Sequence, residues 1–118
     1  MMPATYLSLT EEESSDRVVV RAHGEVDAAT APQFAGALSR AADEAEERTL
    51  VIDLTETEFM DVKGYAALLN AHRKIDSQRG EMFIVCPLGQ VRRMLGLLDT
   101  SGRLRLCASA DARGARAA

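Results

Sequence analysis

The chain has 118 residues, 47% of them apolar, which is enough for one compact domain and too little for two ordinary cores. Its 18 acidic and 14 basic side chains give a formal charge of -4, so it has no cationic surplus for binding nucleic acid directly. We find no signal peptide and no run of about 18 apolar residues that would span a membrane. We therefore expect a single cytoplasmic domain over residues 1–118 that does not contact membranes.

The first predicted elements form a hairpin. Residues 6–10 alternate between apolar and polar side chains, and residues 18–23 are a β-branched run that ends at Gly24. The polar cluster at residues 11–16 predicts a tight, solvated connection between the two strands.

A helix is predicted to begin at Thr30. Residues 30–33 have the pattern of a capping box, with a hydroxyl at Thr30, a proline in the first turn and Gln33 three residues after the threonine. Apolar residues then recur every three or four positions and predict a narrow buried stripe, which consists of Phe34, Ala37, Leu38, Ala41 and Ala45.

The central part of the chain predicts a strand-helix-strand crossover. Residues 49–54 and 82–86 are short apolar runs, as is typical of strands buried on both faces of a parallel sheet. A helix from about Val62 to Ser77 lies between them and stops before Gly80. Its predicted buried side consists of Tyr65, Leu68, Leu69, His72 and Ile75.

One more helix and one more strand are predicted after residue 87. The helix contains Val91, Met94, Leu95 and Leu98 at helical spacing and closes at residues 99–102, and Leu104 and Leu106 belong to a last strand. From about residue 108 the alanine- and arginine-rich tail predicts at most a short, frayed helix. The pattern as a whole favours a mixed sheet with parallel inner strands and right-handed crossovers.

Patterns of common catalytic sites are missing from the sequence. It contains no GxSxG, GxGxxG, P-loop or HExxH, and its two cysteines lack CxxC spacing, so we expect neither a metal nor another cofactor. Asp53 and Asp61 could be read as a carboxylate pair, but Asp61 stands where a helix begins, and helix capping is a sufficient reason for an acid there. We therefore expect that the protein is not an enzyme.

The segment from Val51 to Ile75 resembles a known family. It reads VIDLTETEFMDVKGYAALLNAHRKI and is similar to the central part of STAS domains, particularly bacterial anti-sigma-factor antagonists. In that family a strand ending in Asp-Leu leads to Phe-Met-Asp-Ser-Ser-Gly and then to a helix. The residues that match this pattern are Asp53, Leu54, Phe59, Met60, Asp61 and Gly64. Residues 24–27 with Thr30, and residues 80–82, resemble two further family segments, so the likeness covers nearly the whole chain.

The resemblance implies both a fold and a function. The implied fold is the α/β STAS (SpoIIAA-like) fold, a mixed sheet of four or five strands with three or four helices in the order β-β-α-β-α-β-α-β and an optional last helix. The implied function is transcription regulation through binding an anti-sigma factor, often an ATP-dependent serine kinase. Family members are released when the first serine after the Met-Asp pair is phosphorylated.

This chain departs from the family at the phosphoacceptor. Val62 and Lys63 occupy the two serine positions, so the acceptor hydroxyl is missing. A phosphate would add a charge of about -1.5 to -2 and disrupt an interface. Because the acceptor hydroxyl is missing, this release cannot occur, and the chain is predicted to bind its partner constitutively. Lys63 also places a cation against the helix dipole, which favours an acidic partner. The resemblance implies a partner-binding set of Asp27, Thr30, Asp61, Val62, Lys63, Gly64 and Tyr65.

Other interpretations stay open at this point. If the fold is as implied, Cys86 and Cys107 end neighbouring strands about 4.8 Å apart, so a redox pair is conceivable, although buried free thiols are the commoner arrangement in cytosolic proteins. The domain could instead be a scaffold or sensor module in a larger signalling assembly, or a STAS domain that binds a small ligand at the exposed helix start. It could also have lost the family activity together with the serine.

Overall fold

Strands and helices alternate along the chain after an initial hairpin. The computed structural model describes residues 6–108. The elements are β1 (Leu7–Glu13), β2 (Arg17–Val26), α1 (Ala31–Ala45), β3 (Thr49–Met60), α2 (Val62–Ser77), β4 (Glu81–Val85), α3 (Gln90–Leu98) and β5 (Leu106–Cys107). This succession confirms the predicted element order. The expectation for the tail concerns residues 109–118, which lie outside the described residues.

The sheet is mixed, as predicted. Its strands stand in the order β1-β2-β3-β4-β5, with β1 antiparallel to β2 and every other neighbouring pair parallel. Each parallel pair is joined through one helix. The crossovers advance in one direction across the sheet. Right-handed crossovers of this kind place their helices on the same face, so α1, α2 and α3 cover one face of the sheet.

The core lies between that face and the three helices. β2 and β3 contribute alternate side chains to it, since successive residues of a strand point to opposite faces. Burying one large apolar side chain contributes about 1.5 to 3 kcal/mol to folding, so this layer dominates stability. The largest fully buried side chains include Phe34, Leu38, Leu50, Ile52, Leu68, Ile75 and Leu95.

The buried side of α2 differs from the predicted side by a partial turn of the helix. Tyr65, Leu69 and His72 are only half-buried. α2 packs against α1 as well as the sheet, and small residues allow the two helices to come close together. The residues that α2 buries are Gly64, Ala67, Leu68, Ala71 and Ile75.

The strands differ in length from the prediction. β1 extends through three glutamates to Glu13, and β3 continues beyond Leu54 to Met60. The register of β3 with β2 shifts at two places, which indicates bulges that carry the strand through the polar residues 55–58. Within that stretch Thr57 is buried and donates its hydroxyl to the carbonyl oxygen of Ala22, at 2.8 Å. β5 is only two residues long and does not include Leu104.

The two cysteines lie on different faces of the sheet. Val85 pairs with Cys107, so these two side chains point to one face, while Cys86, the next residue, points to the other. Accordingly, Cys86 belongs to the core under the helices and Cys107 does not. Both thiols are buried and free. This arrangement does not favour the redox pair considered from the sequence.

Candidate functional site

The predicted partner-binding residues meet at one edge of the sheet. β2 and β3 run parallel, so their carboxyl ends lie side by side, and Val26 pairs there with Met60. The amide of Asp61 donates to the carbonyl oxygen of Val26 at 3.1 Å, which joins the two ends. The turn that precedes α1 and the start of α2 therefore lie next to each other.

Asp61 caps α2, as the sequence predicts. It has an extended backbone, and its Oδ1 accepts a hydrogen bond from the amide of Lys63 at 2.9 Å. A carboxylate here satisfies an amide that has no partner within the helix and opposes the positive end of the helix dipole. Such a cap contributes about 1 kcal/mol to stability.

The first turn of α2 presents Val62 and Lys63 to solvent. Val62 is 58% exposed, and Lys63 is exposed as well. None of the helices described between residues 6 and 108 covers this turn. A partner protein can therefore reach Val62.

Gly64 brings α2 close to the ends of the strands. A Cβ atom at this position would lie 2.8 Å from Met60 Sδ and 3.1 Å from Val26 Cγ1, and nearer still to Met60 Cγ. Only a residue without a side chain allows this approach. Gly64 is itself buried, so it supports the shape of the turn and is not open to direct contact.

Thr30 and Asp27 hold the turn before α1 together. The Thr30 hydroxyl donates to the carbonyl oxygen of Glu25 at 2.7 Å and accepts from the amide of Asp27 at 3.0 Å. The Asp27 carboxylate accepts from the amides of Ala29 and Thr30, at 2.9 and 3.2 Å. Thr30 is buried, so its contribution is to the shape of the turn, whereas Asp27 is half-buried.

The capping box predicted for α1 is wrong, although α1 begins where expected. Thr30 is the N-cap residue, but its side chain caps no amide of the helix. Gln33 does not reach back to Thr30 and instead donates to the carbonyl oxygen of Leu7, at 3.2 Å. The Thr30 hydroxyl donates to the carbonyl oxygen of Glu25, near the end of β2, and not to its own helix.

Tyr65 is tied to the loop after α3. Its hydroxyl donates to Asp99 Oδ1 at 3.3 Å, and Asp99 also accepts from the amides of Arg103 and Leu104. Burial, and then the negative charge of Asp99, raise the pKa of Tyr65 above its usual value, so the phenol stays neutral. The hydroxyl thus holds α2 to this loop.

Two exposed apolar residues at the same edge are not in the partner-binding set that the sequence predicts. Phe59 is next to last in β3, and Leu88, which is 87% exposed, follows β4 in the loop to α3. Gln90 fixes that loop beside β3, because its side-chain amide accepts from the nitrogen of Met60 at 3.3 Å and donates to its oxygen at 3.4 Å. The sequence signal for the exposure of Leu88 is that this isolated leucine stands between two turn-forming residues, Pro87 and Gly89.

Residues 6–108 lack two other kinds of site. No helix there is both long and apolar enough to cross a membrane. Nor does this part of the chain group three or more His, Cys, Asp or Glu side chains in a way that could hold a metal ion.

Comparison with known proteins identifies the family and the fold. The sequence model of the STAS domain matches residues 8–111. An anti-sigma factor antagonist from Mycobacterium paratuberculosis is 24% identical, over 94% of this chain and 93% of that chain, with a TM-score of 0.84. The Bacillus cell fate determinant SpoIIAA, in its phosphorylated form, is 20% identical, over 94% of this chain and 100% of that chain, with a TM-score of 0.68.

A third similar structure comes from a different bacterial group. An anti-sigma-factor antagonist (STAS) domain protein from Planctomyces limnophilus is 14% identical, over 93% of this chain and 97% of that chain, with a TM-score of 0.77. At these identities the likeness is one of fold, and it confirms the fold that the central sequence signature implied.

Proposed function

Since the chain belongs to the STAS domain family, we propose that it is a cytoplasmic anti-sigma-factor antagonist whose binding is not switched off by phosphorylation at the start of α2. It acts by binding a protein and not by catalysis. The anti-sigma factor docks at the edge formed by the turn before α1 and the first turn of α2. Release by a phosphate at position 62 does not occur.

The observation that carries this proposal is the exposed Val62 in the first turn of α2. The turn combines an Asp61 cap, a buried Gly64 and an exposed surface, and this combination supports docking of a partner there. SpoIIAA, which has a similar fold, exists in a phosphorylated form. Here the first residue after the Met60-Asp61 pair has two methyl groups and no hydroxyl, so it cannot accept a phosphoryl group.

A phosphate at position 62 would change the charge of the docking edge. The Asp61 carboxylate already accepts the amide of Lys63, and a phosphate beside it would add repulsion between like charges. A chain that retains the docking turn without the acceptor is therefore suited to stay bound to its partner. This supports antagonism over a loss of activity.

The test compares the natural chain with Val62→Ser in the presence of each serine-kinase anti-sigma factor of the source organism. We expect both proteins to bind the same anti-sigma factor in calorimetry. With ATP, the natural chain is expected to stay bound and unmodified, while Val62→Ser gains one phosphate at residue 62 and dissociates. The variant is the matched control, since it restores the family's acceptor and changes little else.

Two results would refute the proposal. One is release of the natural chain by ATP with phosphate on another residue of the docking edge. The other is failure to bind any anti-sigma factor combined with assembly into large homo- or hetero-oligomers of STAS domains, which is the behaviour of a scaffold or sensor module.

A further inference from the structure

Three of the five large apolar residues that are exposed among residues 6–108 lie at the same end of the sheet. Phe59, Val62 and Leu88 all belong to the carboxyl ends of β3 and β4 or to the segments that follow them. We refer to these three residues as the carboxyl-edge surface. Leu88 is two residues before Gln90, whose side chain bonds the backbone of Met60, and Phe59 and Val62 are within two residues of Met60, so the three belong to one region of the surface. Grouped exposed apolar residues mark an interaction site more often than single ones do.

Two features hold Leu88 in place on this surface. The Gln90 amide makes hydrogen bonds to both backbone polar groups of Met60, so the loop after β4 is attached to the end of β3. Gly89 has a φ of 151°, a conformation that residues with a side chain rarely adopt. The loop therefore has a defined shape that leaves Leu88 outside the core and close to the end of β3.

Acidic side chains flank one side of the carboxyl-edge surface. Glu25 pairs with Phe59 across β2 and β3, and Glu58 precedes Phe59 in the bulged part of β3. Both glutamates are exposed, and neither belongs to an ion pair among residues 6–108. Segments 24–29 and 55–61, which carry these glutamates, contain no lysine or arginine, whereas the nearby cations lie in the helices: Lys63 in α2, and Arg92 and Arg93 in the first turn of α3. Opposite the ends of β2 and β3 this charge distribution favours a cationic surface, and not the acidic partner expected from Lys63 alone.

We infer that the anti-sigma factor contacts Leu88 as well as the start of α2, and that its contact surface is apolar opposite the carboxyl-edge surface and cationic opposite Glu25 and Glu58. This inference rests on the proposed function and adds the chemistry of the partner. Burial of Leu88 and Phe59 supplies affinity, whereas the glutamates steer the cationic partner during association.

The apolar part is tested with two leucine variants. Leu88→Ala is expected to raise the Kd for the anti-sigma factor about ten-fold or more, mainly through faster dissociation. Leu97→Ala is the matched control: Leu97 is 77% exposed, but it lies in the last turn of α3, about 10 Å along the helix from Gln90. Its Kd is expected to stay within about two-fold of the natural value. Thermal unfolding of both variants verifies that the fold is retained.

The charged part is tested through association rates at low and high salt. Glu25→Gln combined with Glu58→Gln is expected to slow association about five-fold at low salt and to change it little at high salt, because salt screens exposed charges. Lys63→Gln is expected to leave the rate unchanged or to raise it. Faster association of the variant that combines Glu25→Gln with Glu58→Gln would mean an acidic partner and would overturn the inference.

The outcomes separate this inference from the proposed function. If the natural chain binds its anti-sigma factor and Leu88→Ala behaves like Leu97→Ala, the extended contact is wrong while the antagonist function stands. If the natural chain binds no anti-sigma factor, both are wrong.

Discussion

Replacement of Gly64 by alanine tests how closely α2 approaches the ends of the strands. The added Cβ would lie 2.8 Å from Met60 Sδ and 3.1 Å from Val26 Cγ1, with Met60 Cγ closer than either. Both neighbours are fully buried, and Cγ lies near the base of the methionine side chain, where it cannot swing away freely. Either α2 or the Met60 side chain must move.

The expected cost follows from two opposing terms. Overpacking of a filled core costs about 1 to 3 kcal/mol. Alanine in place of glycine in a helix stabilises by up to about 1 kcal/mol, and less in the first turn. The net prediction for Gly64→Ala is therefore a loss of about 1 to 2 kcal/mol in the free energy of unfolding, measured by urea titration. For a domain of this size that lowers Tm by about 4 to 8 °C.

Gly96→Ala is the matched control, because a Cβ at this exposed helical position would meet nothing within 4 Å. We expect it to stabilise the domain by about 0.5 to 1 kcal/mol. In a double-mutant cycle, Gly64→Ala should cost less when Met60 is also alanine, since the clashing atoms are then absent. Equal stabilisation by the two glycine substitutions would refute the close-packing argument.

Two further predictions concern the cap of α2 and the buried thiols. Asp61→Ala is expected to lower the free energy of unfolding by about 1 kcal/mol, because the amide of Lys63 loses its acceptor. Asp61→Asn retains an accepting oxygen and should cost clearly less in the same urea titration; equal losses from both variants would contradict the capping role. Burial raises the pKa of the Cys86 thiol and so reduces its thiolate fraction, and we expect alkylation of the native protein to be much slower than in urea. Mild oxidation should leave the mass of the monomer unchanged, whereas the loss of two hydrogen atoms would mean that Cys86 and Cys107 can meet.

Much of the fold could be predicted because apolar periodicity directly reflects burial along a single element. The order of strands and helices, the start of α1 and the bounds of α2 all follow from local patterns. The cap at Asp61 is equally local, since donor and acceptor are two residues apart. The central signature then indicated the family, which the match over residues 8–111 identifies.

Predictions failed where a residue's partner is distant in sequence. The capping-box pattern predicts that Gln33 reaches back to Thr30, but its side chain donates to the carbonyl oxygen of Leu7, 26 positions earlier in the chain. The polar residues 55–58 do not alternate like a strand, yet pairing with β2 through bulges keeps them in β3. In both places tertiary contact outweighed the local pattern.

The sequence by itself determined the element order, the family signature and the absence of a hydroxyl at Val62, because each of these is a property of residue types and their spacing. Only the tertiary structure decided that Cys86 and Cys107 point to opposite faces and that Leu88 joins Phe59 and Val62 at one edge. Strand register and the Gln90 hydrogen bonds to Met60 set those positions. Such relations arise between segments far apart along the chain, so no local pattern encodes them.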